Sequence, residues 1–267
     1  MTRIGRLFEE LKRDGRKGLI AYLTAGDPTP ERTPALVEAM VRGGADLVEL
    51  GVPFSDPIAD GPVIQRAGER ALRAGTTIGK VLEIAAQIRQ RSEVPLLLFT
   101  YLNPVVHYGL DYLARDAAAA GIDGCLLTDA SVEEAQDYVA AMHRHELDTV
   151  FLAAPTSTER RLQLVARYSS GFVYLVSRTG VTGERDSLSS SVAPLVQSMR
   201  SVTSLPLALG FGISTPEQVG EAGRQVDAVV VGSAFVRKIE EHGAADCLER
   251  ELEAFTARLK GGLAGAR

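Results

Sequence analysis

Lysine, histidine and cysteine are all scarce in this chain of 267 residues. The five lysines are Lys12, Lys17, Lys80, Lys238 and Lys260, and none directly follows an apolar run of the kind that makes a buried strand. Schiff-base chemistry needs an amine inside the site, so it finds no support here. Among His107, His143, His145 and His242, only His107 falls in a loop on the expected active side. It has no companion at ligand spacing, whereas metal sites need clustered donors, so no metal is expected. The two cysteines, Cys125 in an apolar run and Cys247 late in the chain, make no disulfide framework and read as buried, inert thiols in a reducing, cytoplasmic setting. A net charge of −5 argues against nucleic acid or an anionic membrane as the main partner.

What the chain does have is 45% hydrophobic and 24% charged residues, an ordinary globular composition. No Pro-, Ser- or Gly-rich linker divides it, so residues 1–267 are expected to form a single domain, with 261–267 as a loose tail. Arg3, Arg6, Glu9 and Glu10 interrupt the N-terminal apolar residues, which argues against a signal peptide. Ile4, Leu7, Phe8 and Leu11 instead fall at helical spacing and predict a short amphipathic helix placed to cover the bottom of a barrel.

Eight short apolar runs follow: Leu19 to Leu23, Leu47 to Leu50, Leu96 to Phe99, Gly124 to Leu127, Thr149 to Leu152, Phe172 to Val176, Leu207 to Leu209 and Ala228 to Val231. Segments of helical period separate them, among them Val81 to Ile88, Glu133 to Ala141 and Arg160 to Tyr168. Runs that do not alternate are strands buried on both faces. Eightfold alternation of such strands with helices predicts an α/β fold, the (β/α)8 TIM barrel, over a doubly wound open sheet. Active sites of such barrels form at the C-terminal ends of the strands. Glu49, Asp60, Asp129, Arg178, Thr182 and Gly183 lie on that side, and Asp123 and His145 on the opposite rim.

Within Leu47-Val48-Glu49-Leu50 the period of two puts Leu47 and Glu49 on one face. An inward carboxylate is desolvated, which raises its pKa toward the range where it both gives and takes protons. The competing role is a structural acid paired with a cation from a neighbouring strand. Asp60 follows in a loop stiffened by Pro53, Pro57 and Pro62, where it is either held over the barrel or spent on capping the helix that begins near Gly61-Pro62. Gly210 and Gly212 after strand seven, and Gly232-Ser233 after strand eight at the start of an extra short helix, form a candidate phosphate cradle of close backbone amides and a helix N-terminus. The glycine-punctuated loop from Ser177 to Arg185 has room to close over a ligand, and Tyr174 and Phe211 flank the mouth, as packing for an aromatic substrate or as ordinary core residues.

Taken together, Tyr22-Leu23-Thr24-Ala25-Gly26-Asp27-Pro28, the string from Glu49 through Pro53-Phe54-Ser55-Asp56-Pro57-Ile58-Ala59-Asp60-Gly61-Pro62, Tyr101-Leu102-Asn103-Pro104, Ser177 to Gly183, Gly210 to Ile213 and Gly232-Ser233-Ala234 resemble the tryptophan synthase α-subunit family. The resemblance covers nearly the whole chain. It implies retro-aldol cleavage of indole-3-glycerol phosphate to indole and glyceraldehyde 3-phosphate, with Glu49 as the acid/base and Asp60 binding the indole N–H. It further implies an indole pocket of Tyr22, Ile64, Tyr174 and Phe211, and a phosphate site of Gly183, Gly212, Gly232 and Ser233. Thr182 would order the closing loop and meet Asp60. The implied partner is a β subunit in an α2β2 heterotetramer, which would carry the pyridoxal phosphate, with no cofactor in this chain. A free-standing lyase releasing indole and a catalytically silent subunit are the alternatives. Thr128-Asp129-Ala130-Ser131 departs from the family's pattern by lacking a proline, in a loop associated with signalling to the β subunit.

Overall fold

The computed structural model describes residues 1–176, 192–210, 212–243 and 245–266. Its strands are β1 (Gly18–Thr24), β2 (Leu47–Gly51), β3 (Leu96–Thr100), β4 (Gly124–Leu127), β5 (Asp148–Val150), β6 (Leu152–Ala153), β7 (Val173–Val176), β8 (Leu207–Gly210) and β9 (Ala228–Val231). Every pairing is parallel, in the order β5-β4-β3-β2-β1-β9-β8-β7-β6. The two edges of that sheet, β5 and β6, are separated in sequence only by Phe151, so they are one strand that pairs with β4 first and β7 afterwards. The sheet therefore closes as an eight-stranded barrel, and the fifth predicted strand is observed in two pieces.

Around it run α1 (Arg3–Arg13), α2 (Thr33–Arg42), α3 (Pro62–Arg73), α4 (Ile78–Arg89), α5 (Leu102–Tyr108) and α6 (Leu110–Ala119). They continue with α7 (Gln136–Arg144), α8 (Glu159–Tyr168), α9 (Val192–Val202), α10 (Pro216–Gly223), α11 (Ser233–His242) and α12 (Leu248–Gly261). The helical segment expected over Glu133 to Ala141 is a 3-10 turn, Val132–Glu134, followed by α7. The loose tail expected from Gly261 is instead packed. A second 3-10 turn, Gly262–Gly265, follows α12 and buries Leu263 and Ala266, apolar residues that gain more in the core than in water.

Alternation along each strand sorts residues into two layers. Val48, Leu50, Leu96 and Leu98 face the helices, and Ile20, Leu47, Leu97, Leu126 and Val150 fill the barrel. The amphipathic helix α1 completes that inner cluster as its plug, with Ile4, Phe8 and Leu11 buried among the strand residues and Phe8 packed on Phe172 at 5.6 Å between ring centroids. The N-cap Thr2 accepts from the Gly5 amide and donates to Asp148, while Arg3 reaches Asp123 at 3.1 Å. Asp123 also takes Arg89 at 2.9 Å and the Leu96 amide, so the rim carrying α1 is held by structural ion pairs.

Phe172 is fully buried at this junction. Phe172→Ala is expected to cost about 3–5 kcal/mol in urea unfolding, with Leu7→Ala on the half-buried side of α1 costing clearly less. Equal losses from the two would contradict the plug.

Candidate active site

Glu49 lies on β2 in register with Tyr22 of β1 and Leu97 of β3, inside the barrel as the period of two requires. It is 1% exposed, and its Oε1 is buried with no hydrogen-bond partner. Burial raises its pKa to about 8. Desolvation is the cause of that shift and no cation among the described residues contributes, so no described residue makes Glu49 the ion-paired structural acid that the sequence leaves open.

Two tyrosines crowd the carboxyl. Tyr22 and Tyr174 are both buried, and burial above all, with the nearby carboxylates adding to it, keeps both phenols protonated. Each ring lies across a glycine of the neighbouring strand: a Cβ on Gly51 would stand 2.2 Å from the Tyr22 hydroxyl, and one on Gly210 the same distance from that of Tyr174. Any side chain at either position would push a ring into the pocket. Phe99 meets Tyr22 edge-on at 5.3 Å.

Asp60 reaches the same space from the loop after β2. Two turns shape that loop, with the Ile58 amide donating to Asp56 O at 2.9 Å and the Asp60 amide to Pro57 O at 3.0 Å. Helix α3 then starts on Pro62 with Gly61 as N-cap and no side-chain cap, so Asp60 does not spend its carboxylate on capping. Its main-chain carbonyl takes Gln65 Nε2 at 2.8 Å. Partial burial raises its pKa to about 6, while the nearby Tyr101 hydroxyl acts in the opposite direction.

Tyr22, Glu49, Asp60, Ile64, Tyr174, Gly212, Gly232 and Ser233 line one pocket, together with Ala59, Gly61, Phe99 and Val230. All the predicted site residues that are described thus come together, and Thr182, Gly183 and Phe211 lie outside the described residues. Phe99 was legible as the inward partner of Leu97 on β3. Tyr101, beyond the strand, had no periodic signal to mark it. On the far side Gly212 has φ +80°, a left-handed conformation that favours glycine, with open space beside it. Gly232 caps α11, whose first turn opens on the pocket with Ser233, where helix amides have no acceptor within the helix and carry partial positive charge. That end suits an anion, and the carboxyl end suits proton transfer to a flat, apolar group lying among Tyr22, Phe99 and Tyr174.

A roomier cavity of about 610 Å³ sits at the opposite rim, beside α1. Its Arg16 and Arg200 are paired with Asp14 and Asp227, so size alone does not mark the chemistry.

Residues 8–263 match the family model described as tryptophan synthase alpha chain. The tryptophan synthase alpha chain of Solibacter usitatus is 76% identical over 267 residues, covering all of both chains. That of Geobacter sulfurreducens is 49% identical, covering 97% of this chain and 98% of its own. Among solved structures, a Mycobacterium tuberculosis tryptophan synthase chain superposes with a TM-score of 0.91 at 38% identity, and Legionella pneumophila tryptophan synthase subunit alpha with 0.91 at 36%, each over 98% of both chains.

The buried, unpaired Glu49 has a stability signature. Below pH 4.5 the carboxyl is neutral folded and unfolded; above it the unfolded chain gives up a proton that the folded chain keeps until about pH 8. The fold is therefore penalised progressively between those values, by on the order of 4 kcal/mol in full. Urea unfolding at pH 5 and pH 8.5 is expected to show Glu49→Gln gaining on the parent as pH rises. A pH-independent difference would mean that the carboxyl is solvated or paired.

Proposed function

The chain belongs to the tryptophan synthase alpha chain family, and from that premise we propose how its residues divide the work of the reaction. It is a carbon–carbon lyase of tryptophan biosynthesis, cleaving indole-3-glycerol phosphate to indole and glyceraldehyde 3-phosphate, and the indole passes to the β chain.

Cleavage needs a proton delivered to indole C3 and a proton removed from the hydroxyl on the adjoining side-chain carbon. As the C–C bond breaks, its electron pair returns to the ring and the hydroxyl carbon becomes the aldehyde. Glu49, with its pKa near 8, enters neutral at pH 7, gives its proton to C3, takes one from the hydroxyl and ends as it began. Asp60, with its pKa near 6, is ionised at the same pH, accepts the indole N–H and stabilises the positive charge that C3 protonation places on the ring. The observation that carries this division is that two carboxyls in one pocket ionise on opposite sides of neutrality.

Tyr22, Ile64, Tyr174 and Phe99 are proposed to hold the indole ring, and the resemblance assigns Phe211 the same role. Gly212, Gly232 and Ser233 receive the phosphate, joined by Gly183, and Thr182 orders the closing loop toward Asp60. These last roles rest on the resemblance and on the glycine geometry at β8 and β9.

Membership of the family implies a β-chain partner. We place its docking at the mouth, where Ile58, Leu102 and Val106 are 78%, 39% and 66% exposed on the loop after β2 and on α5, in an α2β2 assembly whose pyridoxal phosphate belongs to the β chain. The whole chain acts as one barrel domain. No described helix is long and apolar enough to cross a membrane, and a cytoplasmic setting is proposed.

Indole release from indole-3-glycerol phosphate, assayed with and without β chain, tests this scheme. Glu49→Gln is expected to lower kcat by about 10²–10⁴ with KM largely kept. The parent kcat/KM should fall below about pH 6 as Asp60 protonates and above about pH 8 as Glu49 loses the proton it must donate. Unchanged cleavage by Glu49→Gln would remove it from the mechanism. Val106→Asp is expected to abolish activation by β chain while leaving the isolated rate unchanged; retained activation would move the docking face elsewhere.

A further inference from the structure

Asp60 sits on an exposed loop, yet the reaction needs its carboxylate aimed at one ring nitrogen. Proline stiffens the loop main chain but does not set a side-chain rotamer. The residue that does so belongs to a different loop. Tyr101 follows β3, is 3% exposed and caps the start of α5. Its hydroxyl oxygen accepts from the Ala59 amide at 3.1 Å, and the phenol and the Asp60 carboxylate lie near enough for each to shift the other's ionisation. The ring is braced separately: Phe54 lies against it at 5.2 Å between centroids, tilted 37°. The next residue, Leu102, has its amide held by Asp129 Oδ1 at 2.7 Å. The phenol thus joins the loops after β2 and β3, and the residue that follows it ties them to the loop after β4.

We propose that Tyr101 is the positioning residue of the Asp60 carboxylate, fixing both the peptide at Ala59 and the side chain at Asp60 through a single hydroxyl. The proposal rests on Asp60 being the carboxylate that receives the indole N–H. A phenol bound to both the main chain and the carboxylate permits one orientation of Asp60 and favours its ionised form, which is the form that stabilises a cationic ring. The other titratable groups facing Asp60 are Tyr22 on β1 and Glu49 and Tyr174 across the same pocket, and no lysine or arginine lines it among the described residues. Among the described residues no other group favours the ionised carboxylate.

The test is Tyr101→Phe, which keeps the ring on Phe54 and deletes only the hydroxyl, set beside Asp60→Asn. We expect Tyr101→Phe to lower kcat for indole release about 10- to 100-fold with KM little changed. Its acid limb in kcat/KM should move up by about one pH unit, while the limb near pH 8 stays in place. A purely structural tyrosine would lower both kinetic parameters, or stability, without moving one limb. Asp60→Asn losing cleavage while Tyr101→Phe keeps both rate and acid limb overturns the positioning role and leaves the role of Asp60 standing. Asp60→Asn that still cleaves at the parent rate overturns both. Should Tyr101→Phe not fold, the parent protein decides. The Asp60 carboxyl carbon, observed by NMR, should show a deuterium isotope shift from an accepted hydroxyl hydrogen bond, and its absence overturns the proposal.

Discussion

Removal of water from one carboxyl group is the constraint around which the molecule is built. A closed parallel barrel gives Glu49 no solvent, and no cation among the described residues lies beside it. Burying a polar group in this way is unfavourable, and it persists because the closed sheet and its layers of aliphatic side chains hold the position rigidly. The tyrosines over Gly51 and Gly210 narrow the space further, and α1 seals the other end. A proton on Glu49 is therefore retained to a pH at which an exposed carboxyl would long have lost it.

Comparison of the buried acids separates structural from chemical duty. Asp27 is buried after β1 and receives Arg70 in a fork at 2.8 and 2.9 Å. Asp123 is buried at the bottom rim between Arg3 and Arg89. Each has an arginine because a buried charge without a partner is expensive. Among the described residues Glu49 and Asp60 have none, and the pocket around them is lined by phenols, apolar side chains and glycine main chain. Arg70 also binds Glu240 of α11, so this arginine joins α3, which follows the Asp60 loop, both to the loop after β1 and to the helix that begins at Ser233. The two ends of the pocket are thereby held in one frame.

Much of the barrel was legible because its strands are buried on both faces and its helices on one, which writes different periods into the chain. The layer assignment at Leu47-Val48-Glu49-Leu50 followed from alternation alone, and the structure places those residues accordingly. Other features had no periodic signature. The break at Phe151 depends on where strand five changes partners around a closed sheet, and α5 is too short, at seven residues, to display a helical period. The terminal turn packs through Leu263 and Ala266, isolated apolar residues among glycines whose burial depends on a surface offered by α10.

The sequence by itself determined the fold class, and it singled out one end of the barrel, two carboxyls and a set of glycines that the fold then brings into one pocket. These follow from local rules: side-chain alternation, the need of a parallel strand for a crossover helix, and the freedom of glycine next to a ligand. Tertiary structure decided what those residues are chemically. It left Glu49 without an ion-pair partner among the described residues, turned Asp60 away from the helix it precedes, and set the hydroxyl of Tyr101, forty-one residues beyond Asp60, on the amide of Ala59 just before it. Protonation and orientation are set by whatever lies nearest in space, and in a closed barrel the nearest groups come from strands and loops distant in sequence.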